Sequence, residues 1–138
     1  MNHYLDKLQN DKPKRVYGFL MDINDFKTIN DIYGHLKGDQ AIIQFGKILQ
    51  HSIDKDSVAI RMGGDEFVIF AILKSNEEAL ALKKHIEQNV RQFNTNSTEP
   101  FHLSFSIGIA KYSGNIETFL SSMDDSMYEA KNMHRLMH

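Results

Sequence analysis

Acidic residues at two points of the chain have the types and the setting to hold a divalent cation. Asp22 ends the continuous apolar run Val16-Tyr17-Gly18-Phe19-Leu20-Met21. Asp65 and Glu66 follow a pair of glycines in Arg61-Met62-Gly63-Gly64-Asp65-Glu66-Phe67. The flanking runs, Val58-Ala59-Ile60 and Phe67-Val68-Ile69-Phe70-Ala71-Ile72, are rich in β-branched and aromatic residues and read as strands. A Gly-Gly pair between strands predicts a tight hairpin, because the favoured two-residue turns need positive φ. Asp65 and Glu66 then start the outgoing strand and face opposite ways. With the hairpin beside the first strand, Asp22 and Asp65 converge. Two like charges about 4 Å apart repel by roughly 4 kcal/mol at an effective dielectric near 20, so such a pair needs a proton or a cation. Hard oxygen ligands suit Mg²⁺ or Mn²⁺, which complete their shells with water and substrate phosphate. The plainer reading is an ordinary surface hairpin with solvated acids, and a strand-end Asp that caps something nearby.

Lys27, Lys131 and Arg135 are able to supply phosphate contacts. A helix beginning near Asp25 would add backbone N–H donors. Taken singly, each cation reads more readily as solvated surface. Asn30 and Asp39 are candidate base readers. A carboxylate accepts from N1–H and N2–H₂ of guanine, which adenine lacks, while Asn donates to a ring acceptor. Singly, each reads more readily as a cap or turn residue. A calcium loop starting Asp22-x-Asn24 fails, because Phe26 and Ile29 fall where ligand and turn residues are needed. His35 has no second His or Cys at ligand spacing, so a turn role fits better than zinc. No Ser/His/Asp nucleophile arrangement is visible.

The elements that must position these groups follow from periodicity. Tyr4, Leu5 and Leu8 in Met1 to Asn10 suggest the tail of a helix, broken by Asp11-Lys12-Pro13-Lys14. The strand ending at Asp22 is apolar throughout, as expected when both faces are covered. Asn24 or Asp25 can cap a short helix to about Tyr33, ended by Gly34. Lys27 and Asn30 share one face of it. Asp39 can cap a second helix to about Ile53, with Ile42, Phe45, Ile48, Leu49 and Ile53 as its stripe. After the hairpin, a third helix spans Asn76 to about Phe93, through Ala79, Leu82, Ile86, Val90 and Phe93. Phe101 to Ala110 reads as a strand and Glu117 to about His134 as a last helix, packed through Leu120, Met123 and Met127. This order predicts an α/β (α+β) domain: a mixed central sheet flanked by helices, of the split βαβ type.

Composition narrows the classes. The chain has 138 residues, enough for one domain with one core, and a net charge of −2, which leaves no footprint for nucleic acid or an anionic membrane. It has no Cys, so thiolate metal sites and disulfides are excluded, and a reducing cytoplasm fits. No apolar run approaches a membrane span, and no signal-peptide pattern opens the chain.

Taken together, the motifs resemble the GGDEF family of diguanylate cyclases. The resemblance is carried by Asp22-x-x-x-Phe26-Lys27-x-Ile29-Asn30-Asp31-x-x-Gly34-His35-x-x-Gly38-Asp39, by Gly63-Gly64-Asp65-Glu66-Phe67, by Ser106-Ile107-Gly108-Ile109-Ala110, and by Asp124-x-x-x-Tyr128-x-Ala130-Lys131-x-x-x-Arg135. It covers nearly the whole chain. It implies a ferredoxin-like, palm-type nucleotidyl cyclase fold that condenses two GTP into cyclic di-GMP and two pyrophosphates, as a dimer with Mg²⁺ or Mn²⁺. By resemblance Asp22, Asp65 and the carbonyl of Ile23 bind metal, and Glu66 is the second signature acid. Asn30 and Asp39 would read guanine. Lys27, Lys131, Arg135, the hairpin glycines Gly63 and Gly64, and the backbone of Asp25 and Phe26 would hold phosphates. The family's inhibitory Arg-x-x-Asp is replaced by Asp54 and Ser57, so no primary product-inhibition site is expected. Two expected pieces are missing: the opening Asp-x-Leu-Thr-Gly-Leu-x-Asn-Arg segment, and the Asn and strand that follow Arg135, where Leu136-Met137-His138 stand instead. The chain therefore reads as a single GGDEF domain trimmed at both ends. An N-terminal sensory region would drive it in a longer, cytoplasmic or partly membrane-bound protein. The alternatives are a GTP-binding regulatory domain without turnover, and another palm-type nucleotidyl cyclase.

Overall fold

The computed structural model describes residues 15–137. The helix tail expected over Met1 to Asn10 and its break at Pro13 lie outside them. The described elements are β1 (Val16–Ile23), α1 (Phe26–Tyr33), α2 (His35–Ser52), β2 (Val58–Gly63), β3 (Glu66–Ile72), α3 (Asn76–Asn96), β4 (Phe105–Lys111) and α4 (Ile116–Met137). The strands form one sheet in the order β2-β3-β1-β4. All three neighbouring pairs are antiparallel, although the reading from sequence had a mixed sheet. The parallel relations are between strands separated by another: β3 and β4, joined through α3, flank β1, while β1 and β2, joined through α1 and α2, flank β3. Each crossover thus skips one strand, which is the ferredoxin-like split βαβ pattern.

β1 is the centre of this sheet and is buried along nearly its whole length, as its unbroken apolar run demands. Tyr17, Phe19, Met21 and Ile23 face one side, where Ala41, Phe45 and Leu49 of α2 and Ile86 and Val90 of α3 pack. On the other side Val16, Val68 and Phe70 meet Phe119 and Met123 of α4. Asp22 shares parity with Val16, so its side chain belongs to the α4 face.

Two glycines let α4 lie close on the sheet. A Cβ on Gly108 would fall inside contact distance of the Met127 backbone nitrogen and 2.7 Å from the Met123 carbonyl oxygen. A Cβ on Gly18 would strike the Met123 sulfur and come 2.8 Å from the ring of Phe119. Helix α4 therefore crosses β4 backbone to backbone, and the next turn of the helix carries Lys131.

Several boundaries differ from those expected. Asp39 does not cap α2, which begins at His35 with Gly34 as its N-cap. Gly34, at φ 91, closes α1 and opens α2 at once, and only a residue without a Cβ turns that corner cheaply. Positions 101 to 104 are not strand, since β4 starts at Phe105. Phe101 and Leu103 are nonetheless buried, and the Asn94 side chain holds Leu103 through both its N–H and its carbonyl, at 2.8 Å each. Among the described residues no helix is long and apolar enough to cross a membrane.

Candidate functional site

The hairpin and the end of β1 come together as the spacing required. β1 pairs with β3 so that Asp22 stands opposite Glu66, and the Ile23 N–H donates to the Asp65 carbonyl at 3.2 Å. The turn itself is displaced by one residue from the Gly-Gly expectation. Gly63 ends β2 and pairs with Glu66, so the two turn residues are Gly64 and Asp65, and the ladder slips between Arg61 and Gly63. Asp65 thus sits in the turn and not in the strand, half-buried, while Glu66 begins β3 and is exposed. Arg61, to which residue type and spacing assign no role, latches the tip: its Nε and Nη2 donate to the Gly64 carbonyl at 3.0 and 2.8 Å.

Asp22 is 3% exposed, among the most withdrawn charged groups described. Its Oδ2 meets Lys131 Nζ, while its Oδ1 is buried without any hydrogen-bond partner. Burial raises the Asp22 pKa above the ordinary carboxylate range; Lys131 opposes this as hydrogen-bond donor and as charge, Asp65 adds to it, and His134 opposes it. The group holds its proton more tightly folded than unfolded, so ionising it costs stability as pH rises from the unfolded value through the folded one. Asp22→Asn is therefore expected to melt at a higher temperature than the wild type at neutral pH without metal. The gap should close as pH falls through that window, and thermal melts across a pH series measure it.

An orphaned carboxylate oxygen beside a second carboxylate is a donor set fit for a hard divalent cation. Among the described residues no three His, Cys, Asp or Glu side chains cluster as a complete cage. Mg²⁺ does not need one, since it is usually held by one or two carboxylates and substrate phosphates.

In front of these acids lies a pocket of about 380 Å³, lined by Ile23 to Lys27, Asp65, Lys131, His134 and Arg135. It gathers the expected phosphate groups Asp25, Phe26, Lys27, Lys131 and Arg135. Gly63 and Gly64 are exposed at the hairpin tip and are not among its lining residues. A larger hollow of about 620 Å³, lined by Gln44, Asn89, Gln92 and others, contains none of the expected residues. Charge, and not size, picks out the smaller one.

Asn30 lies one turn along α1 from the pocket-lining Phe26 and Lys27. A Cβ on Gly38 would overlap the Asn30 carboxamide, with Cγ 2.8 Å away, so the amide rests on the Gly38 backbone. Asp39 is the next residue and is exposed. The two candidate base readers are therefore neighbours. Asp54 and Ser57 bond to each other, Ser57 Oγ donating to Asp54 Oδ1 at 3.0 Å in a local turn.

A family model described as "Diguanylate cyclase, GGDEF domain" matches residues 1–136. The chain belongs to the GGDEF family. This GGDEF domain is 35% identical over 115 residues to the diguanylate cyclase DgcM of Escherichia coli, covering 82% of the chain and 28% of that protein. It is 36% identical over 115 residues to the diguanylate cyclase DgcS of Shewanella oneidensis, covering 81% of the chain and 38% of that protein. It thus spans well under half the length of these two relatives. Among solved structures, the GGDEF domain of YfiN from Pseudomonas aeruginosa superposes with a TM-score of 0.84 at 26% identity, covering 95% of this chain and 81% of that one.

Two further residues of the GGDEF domain have roles that differ from the sequence expectation, which offers Asn24 as a helix cap and assigns His134 nothing. Asn24 is buried: its Nδ2 donates to Ser104 Oγ at 3.0 Å, its Oδ1 accepts from Ser106 Oγ at 2.7 Å, and its N–H donates to the Ser104 carbonyl at 2.8 Å. It ties the turn after β1 to the start of β4. The signal was present as two serines at alternate positions of an otherwise apolar stretch. His134 lines the pocket and lies 3.4 Å from Asp25 Oδ2. Its position three residues after Lys131, on the same helix face, could have suggested it.

Proposed function

We propose that this domain is a diguanylate cyclase, condensing two GTP into cyclic di-GMP with release of two pyrophosphates. The observation that supports it most is the buried Asp22, with one unpartnered oxygen, beside Asp65 at the rim of a basic pocket. Asp22, Asp65 and the Ile23 carbonyl would hold Mg²⁺ or Mn²⁺, which when bound offsets triphosphate charge and eases loss of the proton from the attacking 3′-hydroxyl. Lys27, Lys131, Arg135 and the N–H groups of Asp25 and Phe26 hold the β and γ phosphates. They stabilise the charge that builds on departing pyrophosphate. The side-chain-free tip at Gly63 and Gly64 lets a phosphate approach the main chain, and Glu66 stands across from Asp22. Asn30 and Asp39 select guanine.

Each domain binds one GTP, so the 3′-hydroxyl of one must reach the α-phosphate of the other across a homodimer. A new O–P bond forms at each α-phosphate as the bond to pyrophosphate breaks. Assembly would be set by a regulatory region of the longer protein, in the cytoplasm where GTP is plentiful, with no role for nucleic acid or membrane contact by this domain.

Mass spectrometry after incubation with GTP and Mg²⁺ tests the proposal, with ATP as the control. Cyclic di-GMP from GTP and no cyclic product from ATP is expected. GTP binding without product would indicate a regulatory domain, and turnover of ATP another nucleotidyl cyclase.

Gly38→Ala tests the base-reading part. The new methyl displaces the Asn30 amide from the Gly38 backbone. One lost hydrogen bond of about 1–1.5 kcal/mol corresponds to about a tenfold rise in KM for GTP. Steady-state kinetics should show that rise with kcat changed less.

A further inference from the structure

Asp25 is the only non-glycine among the described residues with a left-handed backbone, at φ 57 and ψ 32. An Asp opening a helix ordinarily takes an extended conformation and folds its carboxylate onto the second or third amide. Asp25 makes no such bond. Its carboxylate is turned instead toward His134 Nε2 on α4, 3.4 Å away. Two consequences follow. The first amides of α1, which have no intrahelical acceptor, are also free of a side-chain acceptor from Asp25. And a left-handed residue followed by a helical one turns successive N–H groups toward one concavity, a backbone form that takes anions. Asp25, Phe26 and Lys27 line the same pocket as Lys131 and Arg135, beside the unpartnered buried Oδ1 of Asp22.

We propose that His134 is a positioning residue for the triphosphate. By holding the Asp25 carboxylate it keeps Asp25 left-handed and keeps that carboxylate off the α1 amides, which stay open to the substrate's terminal phosphates. The inference rests on the nucleotide-binding reading above. Without His134, Asp25 relaxes to the extended capping geometry, and an internal anion competes with the external one for the same N–H groups. Glycine adopts the left-handed conformation without strain and has no carboxylate. Asp25→Gly should therefore make His134 unnecessary.

A four-protein cycle tests this: wild type, His134→Ala, Asp25→Gly and the double variant. The readouts are calorimetric affinities for Mg²⁺-pyrophosphate, for GTP lacking the 3′-hydroxyl, which cannot react, and for guanosine. Thermal melts establish that all four fold. His134→Ala is expected to weaken pyrophosphate and nucleotide binding about fivefold, the scale of one hydrogen bond, and to leave guanosine binding unchanged. Asp25→Gly keeps the backbone N–H groups, and His134→Ala should have no further effect in that background. An equal loss in both backgrounds would mean that the imidazole touches phosphate itself, and would overturn the proposal. So would wild-type affinity in His134→Ala. No nucleotide binding by the wild type would overturn the GTP reading, and this inference with it.

Discussion

Asp65→Ala is expected to abolish cyclic di-GMP formation, lowering kcat by about three orders of magnitude while the domain stays folded. Asp65 stands in a turn, and the contact that seats this turn on β1 is made by its carbonyl, not its carboxylate. The Arg61 latch likewise ends on a backbone carbonyl, that of Gly64. Alanine preserves both, so melting temperature and circular dichroism should change little. What alanine removes is half of the proposed carboxylate pair, leaving Asp22 alone against the metal and the phosphates. Groups aimed at developing charge in a water-poor site are worth about 10²–10³ in rate apiece, and one that anchors the cation belongs at the upper end. Product measured by mass spectrometry against time gives the ratio. Turnover within tenfold of wild type would show that Asp65 is not a ligand.

The second large effect is expected far from the acids. Gly108→Ala should destabilise the domain by about 3 kcal/mol, lowering the melting temperature by about 10 °C, and should also cut activity in the molecules that remain folded. The new methyl would meet the backbone of α4 at Met127 and Met123, which cannot rotate away. The helix must lift from the sheet. Lys131, His134 and Arg135 ride on the following turns of the same helix, so the wall of the pocket moves with it. Gly18→Ala is the control, since its methyl would meet the ends of the Met123 and Phe119 side chains, and the methionine at least can repack. Differential scanning calorimetry of the two variants should show the larger loss for Gly108→Ala. Equal or reversed losses would mean that α4 is not seated through β4 in this way.

The parts of this structure legible in the sequence were those set by local pattern. The unbroken apolar run of β1 reflects two covered faces, the β-branched and aromatic runs flanking the hairpin reflect strands, and the 3.6-residue stripes of α2, α3 and α4 each reflect one buried face; they located every described element to within a few residues. Errors arose where long-range contacts decide. The turn residues are Gly64 and Asp65, not Gly63 and Gly64, because the register is held by the pairing of β3 with β1 and by Arg61, not by the glycines alone. Asp39 is not a cap, because the corner at Gly34 starts α2 four residues earlier. Phe101 and Leu103 looked like strand from alternation, but the Asn94 side chain takes the Leu103 hydrogen bonds that a neighbouring strand would have taken.

At the site, the residue types and spacing pointed to Asp22, Asp65, Lys27, Lys131 and Arg135, and these do gather around one pocket or directly behind it. The roles of Asn24, Arg61 and His134 were not readable, since each depends on a partner remote in sequence or on a backbone carbonyl. The glycines at 38 and 108 stand within recognisable motifs, but their purpose, close approach of a side chain or a helix backbone, appears only in three dimensions.

The proposed chemistry requires Asp22 and Asp65 to share one divalent ion. A crystal structure of the domain with Mn²⁺ and GTP lacking the 3′-hydroxyl, read through the anomalous signal of manganese, tests this most directly. The expected result is a peak bonded to a carboxylate oxygen of each residue at about 2.1–2.2 Å, with Lys131 released from Asp22 toward phosphate. A peak that touches only one of the two, or none with Lys131 still on Asp22, would contradict it.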